Sequence, residues 1–494
     1  MKSKPILQYV VLIFLVAISL NAIAGNSARY SGQKPDNIVG AVCVIRNGDN
    51  LIMLLEAITN KLSLPGGYID SGDTPQEAAA REALEEAGIE VEVEHLIQYR
   101  DRAAIYACRA KSPIPVSSFR DSRGYPIVAS WFAEHFATEV ERVYLIDPLL
   151  TEAREHRYAE DAALLPQWLA STPDSEVKVY DRFDYDISPL HEYELGLIGQ
   201  FQQGISTWSP SLQWLFGSLM HALAVLGGPW FVFVALALMA GYYRTRLFLD
   251  VACLILVTLF GASLIKHGFM MPRPFFIIPD LQKVNAPGFG FPSEQVLMAS
   301  LLLGVWGYLL QRQVKTKQQK VMIALLVVLV VAGQGVARVW FGVHFISDVI
   351  LSMMLGFAMV AMFILLRSDT FSAYRQRLTS RWFWLGLGIL AGIVAGISLV
   401  PSQAYLCSLL LGIFFGINCA LKVDQITPQL SAKRRFAASI GVLLGAVGIS
   451  GAMMALAAVQ SSTLMVLGIK TSGYLLLGAW LVCGSSWLRQ QLSR

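Results

Sequence analysis

The strongest constraint on this chain is a series of apolar runs in its second half, each long enough to cross a bilayer. A helix needs about 20 mostly apolar residues to span the hydrocarbon core, and such runs recur through residues 211–490. Residues 30–205 instead have the mixed and charged composition of a globular domain. With 494 residues, 55% of them hydrophobic, the chain is expected to join a soluble domain to an all-α polytopic membrane domain.

The lengths of the apolar runs predict the spans, and the basic residues predict their orientation. The expected spans are residues 226–243, 248–267, 293–311, 320–339, 344–366, 382–400, 403–421, 437–459 and 464–488. Residues 211–225 are shorter and fit either a partial span or a helix at the membrane interface. Lysine and arginine cluster in alternate connections, which places those in the cytoplasm and places connections 268–292 and 401–402 outside. The net charge of +4 therefore reports topology rather than nucleic-acid binding.

Residues 1–24 have the features of a secretory signal. Two lysines precede an apolar stretch, and Ala22 and Ala24 form a small-residue cleavage site. An uncleaved signal anchor is the alternative, and both versions send the soluble domain across the membrane. In that compartment Cys43 and Cys108 either form a disulfide or remain two buried thiols.

A glutamate-rich helix carries the candidate metal site of the soluble domain. Thr74 begins this helix with a capping box, and Gly88 ends it. Glu82, Glu85 and Glu86 are three and four residues apart, so they converge on one helix face. Crowded carboxylates repel one another unless a cation lies among them, and Mg²⁺ or Mn²⁺ prefers such oxygen ligands. A solvated acidic face is the alternative.

The segment around this helix resembles the Nudix box. Gly67, five residues, Asp73, seven residues and then residues 81–89 follow that pattern, with Asp73 where the family usually has glutamate. The resemblance covers residues 37–150 and implies an α/β/α sandwich with a mixed sheet. It also implies metal-assisted attack of water on a diphosphate linked to another group. The implied metal ligands are Glu82, Glu85, Glu86 and the Gly67 carbonyl, with Glu82 also in a catalytic role. For Glu134, His135 and Glu139, surface exposure is favoured over a role as general base.

Three polar clusters stand at the outward ends of expected spans. They are residues 266–274 (KHGFMMPRP), residues 292–295 (PSEQ), and Ala337-Arg338 followed by His344 and Asp348. Cationic and hydroxyl side chains of this kind bind a phosphoryl group. The phosphate-binding candidates are Lys266, Arg273, Arg338 and Ser293. His344 and Asp348 are four residues apart, so the carboxylate is expected to orient the imidazole as a nucleophile.

These clusters resemble the three-part signature of the type-2 phosphatidic acid phosphatases, K-x6-RP, PSGH and SR-x5-H-x3-D. The resemblance covers residues 210–368. It implies a six-helix core, no metal and a covalent phosphohistidine on His344. Typical substrates of that family are phosphatidate, phosphatidylglycerophosphate and isoprenyl diphosphates such as undecaprenyl diphosphate.

Three positions depart from the signature. Glu294 replaces glycine, Gln295 replaces histidine and Ala337 replaces serine. The absent histidine is the family's acid for the leaving group, and glutamine cannot donate that proton. Three outcomes stay open: catalysis is slowed, His267 replaces the acid, or the site binds phosphate without turnover.

The sequence predicts a bifunctional phosphohydrolase in a bacterial inner membrane, with both sites facing the periplasm. Its segments are residues 1–24 (signal peptide or anchor), 37–150 (Nudix domain), 151–209 (extension and linker), 210–368 (phosphatase domain) and 382–490 (four-helix transmembrane extension). Its expected partners are a membrane lipid phosphate or isoprenyl diphosphate and a nucleotide-diphosphate-type small molecule, without nucleic acid. The oligomeric state stays open. The alternatives are a Nudix hydrolase tethered by a non-catalytic phosphate-binding scaffold, and a lipid transporter.

Overall fold

The structure, a computed structural model, describes residues 30–121, 123–371 and 376–494, and the predicted signal at residues 1–24 lies outside them. A mixed-sheet domain comes first. Its strands are β1 Tyr30–Ser31, β2 Gly40–Asn47, β3 Asn50–Glu56, β4 Leu62–Ser63, β5 Gly66–Tyr68, β6 Val91–Arg100, β7 Ala103–Ala110, β8 Ile114–Arg120, β9 Pro126–Val128, β10 Val140–Ile146 and β11 Val177–Tyr180. Its longer helices are α1 Pro75–Ala87 and α2 Asp161–Ser171.

The sheet of this domain has a hydrophobic core on each face. Its strand order is β1-β6-β7-β2-β3-β10-β9-β8-β11, with β2–β7 and β8–β11 parallel and the other pairs antiparallel. Because side chains alternate across a strand, β2 contributes to both cores. Cys43 packs in the cluster that contains Ala83 of α1, and Val44 packs in the cluster that contains Trp168 of α2. The predicted α/β/α sandwich with a mixed sheet is therefore confirmed.

The two cysteines of this domain form a disulfide. Cys43 lies on β2 and Cys108 on the neighbouring strand β7, with their Cα atoms 5.8 Å apart. Both side chains are fully buried in the core beneath α1. Of the two alternatives that the sequence leaves open, the structure has the disulfide.

The second domain is helical. Its helices are α3 Pro189–Ser206, α4 Pro210–Ala224, α5 Pro229–Tyr242, α6 Thr245–Phe269, α7 Pro274–Ile277, α8 Glu294–Gln311, α9 Lys317–Trp340, α10 Ile346–Leu366, α11 Arg381–Ser398, α12 Pro401–Ile426, α13 Ala432–Ala458, α14 Thr463–Ala479 and α15 Ser485–Ser493. A π-helical turn at Trp480–Gly484 joins the last two. Within the described residues, seven helices are long and apolar enough to span a membrane, or up to eight if one bent pair counts as a single span.

The bent pair is α4 and α5, which meet at an angle of 51°. Residues 211–225, whose placement the sequence leaves open, form the first half of this pair. The break contains Gly227 with a φ of +76°, and a Cβ at this position would overlap the backbone carbonyl of Gln295. The break therefore packs directly on the start of α8, where the second polar cluster lies. Helix α8, where the sequence expects a span at residues 293–311, is not among the seven apolar helices, and ten of its eighteen residues are buried within the protein.

The soluble domain contacts one end of the helical domain. Arg142 donates to Asn285 in the connection between α6 and α8, and Arg157 donates to the Ser461 carbonyl between α13 and α14. Lys470 of α14 donates in return to the Ile58 carbonyl. Asn285 lies in the connection at residues 268–292, which the sequence places outside. The opposite end holds two further polar contacts, Arg244 to the Thr427 carbonyl and Arg367 to Asp250.

Candidate functional site

The glutamate-rich helix α1 faces the short strand β5. Its start is fixed by the predicted capping box, in which Thr74 and Glu77 exchange hydrogen bonds, and its end by Gly88 with a φ of +70°. The Gly66 N–H donates to Glu86 Oε2 at 2.8 Å. A Cβ at Gly67 would lie 2.5 Å from Glu82 Oε1, so glycine leaves the space that this carboxylate occupies.

Arg81 connects the carboxylates of this helix. Its Nη1 lies 3.0 Å from Glu82 Oε1 and 2.7 Å from Glu85 Oε2. Its Nε donates to Asp73 Oδ2 at 3.1 Å. Asp73, which departs from the Nudix pattern, therefore makes an ion pair with the arginine that contacts the carboxylates of the candidate metal site.

His135 completes a group of close metal-ligand atoms. Nitrogen and oxygen atoms of Glu82, Glu85 and His135 all lie within 4.8 Å of one another. His135 Nδ1 is buried and has no hydrogen-bond partner among the described residues. Glu86 is not part of this group, because its carboxylate is turned toward the Gly66 N–H. The geometry thus adds a histidine to the glutamates that the sequence proposes as ligands.

Burial disfavours the ionised form of two carboxylates in this site, those of Glu82 and Glu86. Burial raises the pKa of Glu86 well above its ordinary value, although the hydrogen bond from Gly66 acts in the opposite direction. Burial also raises the pKa of Glu82, opposed by Arg81. A divalent cation reverses this balance, since metal ligands bind in their deprotonated form. The donor set therefore fits the Mg²⁺ or Mn²⁺ that the sequence predicts.

The three polar clusters of the membrane domain converge at the outward ends of α6, α8, α9 and α10. Lys266 lies in the last turn of α6, Ser293 caps α8 and Arg338 lies in the last turn of α9. Arg273 immediately precedes α7. Arg273 Nη1 lies 3.4 Å from Nε2 of His344, which immediately precedes the start of α10. The structure thus gathers the residues that the sequence assigns to one phosphate site.

Arg273 is held by backbone carbonyls. Its Nε donates to Gly288 at 2.7 Å, its Nη2 to Pro287 at 2.7 Å and its Nη1 to Val343 at 2.8 Å. The same Nη1 lies 3.4 Å from His344 Nε2. Arg273 as a whole is only 3% exposed. It therefore links the connection between α6 and α8 to the segment that carries the histidine.

His344 and Asp348 are close but not directly hydrogen-bonded. Helix α10 begins at Ile346, so His344 precedes it, and its Nδ1 lies 3.8 Å from Asp348 Oδ2. That oxygen accepts the Phe345 N–H at 3.2 Å. The imidazole thus has Nε2 near Arg273 and Nδ1 near Asp348, an arrangement in which the carboxylate can orient the ring as a nucleophile.

Several buried polar atoms of this site lack hydrogen-bond partners among the described residues. They are Ser293 Oγ, Gln295 Oε1, Arg338 Nε and His344 Nδ1. Buried polar groups are normally paired, and each exception needs an explanation. An anion that accepts hydrogen bonds from these groups and from the cations beside them would satisfy the unpaired donors.

The departures from the phosphatase signature occupy different places. Glu294 lies at the rim, with its carboxylate 4.0 Å from Lys266 Nζ and its side chain 44% exposed. Ala337 is fully buried in an apolar cluster. His267, the candidate replacement acid, contacts the Ser263 carbonyl through Nδ1 at 2.9 Å.

Two residues that support this site were missed at the sequence level. The buried Glu194 of α3 accepts both the N–H and the hydroxyl of Ser347 at 3.0 Å, which caps the start of α10. The Ser352 hydroxyl accepts the Ser293 N–H at 2.8 Å. Both act across elements that are distant in sequence, so local spacing contains no signal for them.

Comparisons with known proteins match each half of the chain. A family model of the NUDIX domain matches residues 36–143, and one of the PAP2 superfamily matches residues 246–372. The 8-oxo-dGTP diphosphatase of Escherichia coli (strain K12) is 44% identical over 54 residues, which are 10% of this chain and 42% of that protein. A MutT-like protein of Streptomyces ambofaciens is 29% identical over 112 residues, 22% of this chain and 72% of that protein. The chain thus spans less than half the length of the Escherichia coli relative.

Solved structures are similar to each domain separately. A transmembrane PAP2 type phosphatidylglycerolphosphate phosphatase from Bacillus subtilis has 21% identity and a TM-score of 0.31, covering 36% of this chain and 86% of that one. A NUDIX hydrolase from Nitrosomonas europaea has 17% identity and a TM-score of 0.21, covering 30% of this chain and 81% of that one.

Replacing Gly67 should weaken metal binding. In a Gly67→Ala variant the new Cβ would meet the Glu82 carboxylate at 2.5 Å and displace it. Changes that displace or misorient ligands typically cost about 10–100-fold in metal affinity, and we expect a loss of this size for Mn²⁺, measured by electron paramagnetic resonance titration. Gly32→Ala is the matched control, because a Cβ there meets nothing within 4 Å. Equal affinities in both variants would remove Glu82 from the proposed site.

Proposed function

We propose that this chain, which joins a NUDIX domain to a PAP2 superfamily domain, is a bifunctional phosphohydrolase. Both are families of hydrolases. The soluble site is proposed to cleave a diphosphate linked to another group, such as a nucleotide diphosphate derivative. The membrane site is proposed to remove phosphate from a lipid phosphate or an isoprenyl diphosphate.

The membrane activity rests on one observation, the group of cations and unpartnered polar atoms around the buried His344. The imidazole Nε2 faces Arg273, and Nδ1 faces Asp348. In the proposed reaction Nε2 attacks phosphorus while the bond to the leaving oxygen breaks, which gives a phosphohistidine. Water then cleaves the phosphorus–nitrogen bond and restores the imidazole. Cations preorganised around the phosphoryl oxygens favour the charge of the transition state.

The soluble activity rests on the carboxylates of α1. Glu82, Glu85, Glu86 and the Gly67 carbonyl are the proposed metal ligands. Glu82 and Glu85 lie in one group with His135, and the Gly66 N–H orients Glu86. A bound Mg²⁺ or Mn²⁺ supplies charge neutralisation of the diphosphate and an activated water. The chain's own contribution is to hold the carboxylates, through Arg81 and the Gly66 N–H, in a fixed arrangement.

Both sites are proposed to face the periplasm across a bacterial inner membrane. The soluble domain contacts the same end of the helical domain at which the phosphate site lies. The basic connections lie at the opposite end, which is the cytoplasmic one by the positive-inside rule. The Cys43–Cys108 disulfide agrees with this placement, because disulfides persist in oxidising compartments.

Exchanging one residue in each site should separate the two activities. Glu86→Gln should abolish metal-dependent cleavage of nucleotide diphosphates and leave lipid dephosphorylation intact. His344→Ala should do the reverse, since it removes the proposed nucleophile of the membrane site and leaves the carboxylates of α1 in place. Phosphate release from panels of nucleotide diphosphates and lipid phosphates measures both, and each variant is the control for the other.

Persistent nucleotide cleavage in Glu86→Gln would contradict the soluble mechanism. If the wild-type protein did not dephosphorylate lipids, a phosphate-binding scaffold would be favoured over a phosphatase. The same conclusion would follow if His344→Ala left lipid dephosphorylation unchanged.

The proposed orientation predicts the sites of proteolysis in spheroplasts. Residues 30–205 should be cleaved by protease added outside, because they lie beyond the membrane. The basic connection at residues 312–317 should be cleaved only after lysis and is the internal control. Protection of the soluble domain until lysis would contradict the orientation.

Gln295 bears on which lipid the membrane site prefers. Cleaving a monoester such as phosphatidate expels an alkoxide, which needs a proton from an acid. Cleaving an isoprenyl diphosphate expels a phosphate monoester, whose second pKa is about 6. This leaving group therefore departs without a proton from an acid. A glutamine at the acid's position therefore penalises monoesters more than diphosphates. We propose that a diphosphate such as undecaprenyl diphosphate is the preferred substrate.

Restoring the acid should change the preference. Gln295→His should raise phosphatidate hydrolysis more than diphosphate hydrolysis, within the range of about 10²–10⁴-fold typical of general acid catalysis. Gln295→Asn, which also lacks a proton to give, is the matched control. If His267 already serves as the acid, His267→Ala should remove the remaining monoester activity selectively. Equal rates on both lipid classes, unchanged by Gln295→His, would contradict the argument.

A further inference from the structure

A segment of the soluble domain lies between the two sites. We define the bridging segment as residues 129–139, the loop between β9 and β10. Its His135 N–H donates to the Glu85 carbonyl of α1 at 2.8 Å. The Phe132 ring lies so close to Gly88 that a Cβ there would meet it at 2.6 Å. The bridging segment is thus attached to the helix that carries the metal-site carboxylates.

The opposite side of the bridging segment packs on the membrane domain. Trp131 stacks on Phe276 of α7 with ring centroids 4.8 Å apart and planes inclined by 2°. Phe136 makes edge contacts with Phe276 at 5.8 Å and with Phe289 at 5.5 Å. All four rings are buried in one cluster to which both domains contribute. Stacked and edge-to-face rings have defined geometry, so this contact fixes position as well as burying area.

Two hydrogen bonds hold the same part of the membrane domain. The buried Arg142 of β10 donates through Nη1 to Asn285 Oδ1 at 2.9 Å. The Ser118 hydroxyl of β8 donates to Asp280 Oδ1 at 2.9 Å. The soluble domain therefore holds the connection between α6 and α8, residues 270–293, through both aromatic packing and hydrogen bonds.

This connection also forms one wall of the phosphate site. Its Pro287 and Gly288 carbonyls accept hydrogen bonds from the Arg273 guanidinium, which lies beside His344. On the outer side, a Cβ at Gly288 would be 3.5 Å from Ala137 of the bridging segment. The backbone that fixes Arg273 from the inside is thus supported by the soluble domain from the outside.

We propose that the soluble domain is a positioning part of the phosphatase site. Trp131, Phe136 and Arg142 hold the connection in the conformation that directs Arg273 and His344 toward phosphate. They are positioning residues, since they touch neither the phosphate site nor its reacting atoms. The inference rests on the proposed phosphatase function, and it adds that the membrane site is incomplete without its soluble neighbour.

The test removes one aromatic contact from either side in the full chain, reconstituted in nanodiscs. Trp131→Ala and Phe276→Ala should each weaken orthovanadate binding roughly tenfold or more, with a matching loss in kcat/KM for lipid dephosphorylation, because small displacements at a site have large effects. The double variant should be little worse than either single one, since both remove the same contact. Trp131→Phe, which keeps a stacking ring, should restore most of the affinity.

Two controls separate positioning from general damage. Lys470→Ala removes a different contact between the domains, its hydrogen bond to the Ile58 carbonyl, and should leave orthovanadate affinity unchanged. Phe276→Ala should keep the metal-dependent activity of the soluble domain, which reports that the domain is folded. The inference would be overturned if Trp131→Ala and Phe276→Ala kept the wild-type affinity for orthovanadate. Additive losses in the double variant, or an equal loss in Lys470→Ala, would also overturn it.

The same measurements distinguish failure of the proposed phosphatase from failure of the inference. A wild-type protein that binds orthovanadate but releases no phosphate from lipids refutes catalysis, and the affinity comparison still tests positioning. A wild-type protein that does not bind orthovanadate refutes both, because no phosphate site is then present to be positioned.

Discussion

The hydrogen bonds of one buried guanidinium hold the membrane site together. Arg273 donates to carbonyls at Pro287, Gly288 and Val343, which belong to two connections far apart in the sequence. A buried arginine is tolerated only when its N–H groups are paired, so the two connections must approach it together. His344, which follows Val343 directly, is placed by the same bonds. Arg273 is thus structural as well as a candidate phosphate ligand.

The two sites have opposite electrostatic character, and each fits a ligand of the opposite charge. The soluble site crowds carboxylates that burial keeps from ionising easily, and it fits a divalent cation. The membrane site crowds cations and unpartnered polar atoms, and it fits a phosphate anion. Crowded carboxylates and buried unpaired polar atoms are both costly without a ligand, and such groups cluster at functional sites. The bridging segment brings these complementary sites to the same end of the membrane domain.

Local features of the fold were predictable because local interactions decide them. The capping box at Thr74 and the left-handed Gly88 follow from side-chain and backbone chemistry within a few residues. The apolar runs predict most of the helices that are long enough to span a membrane. The bend between α4 and α5 was less predictable, because the backbone of Gln295, distant in sequence, packs against Gly227. The disulfide depended likewise on β2 and β7 becoming neighbours.

The sequence alone determined the two domain types, the glutamates of α1 and the polar clusters at the outward ends of the spans. Those features rest on spacing and hydrophobicity, which are properties of short segments. Only the tertiary structure decided that His135 joins Glu82 and Glu85, and that Glu194 caps the helix after His344. It alone decided that Trp131 stacks on Phe276. These contacts join residues brought together by packing of whole elements, so no local pattern in the chain contains them.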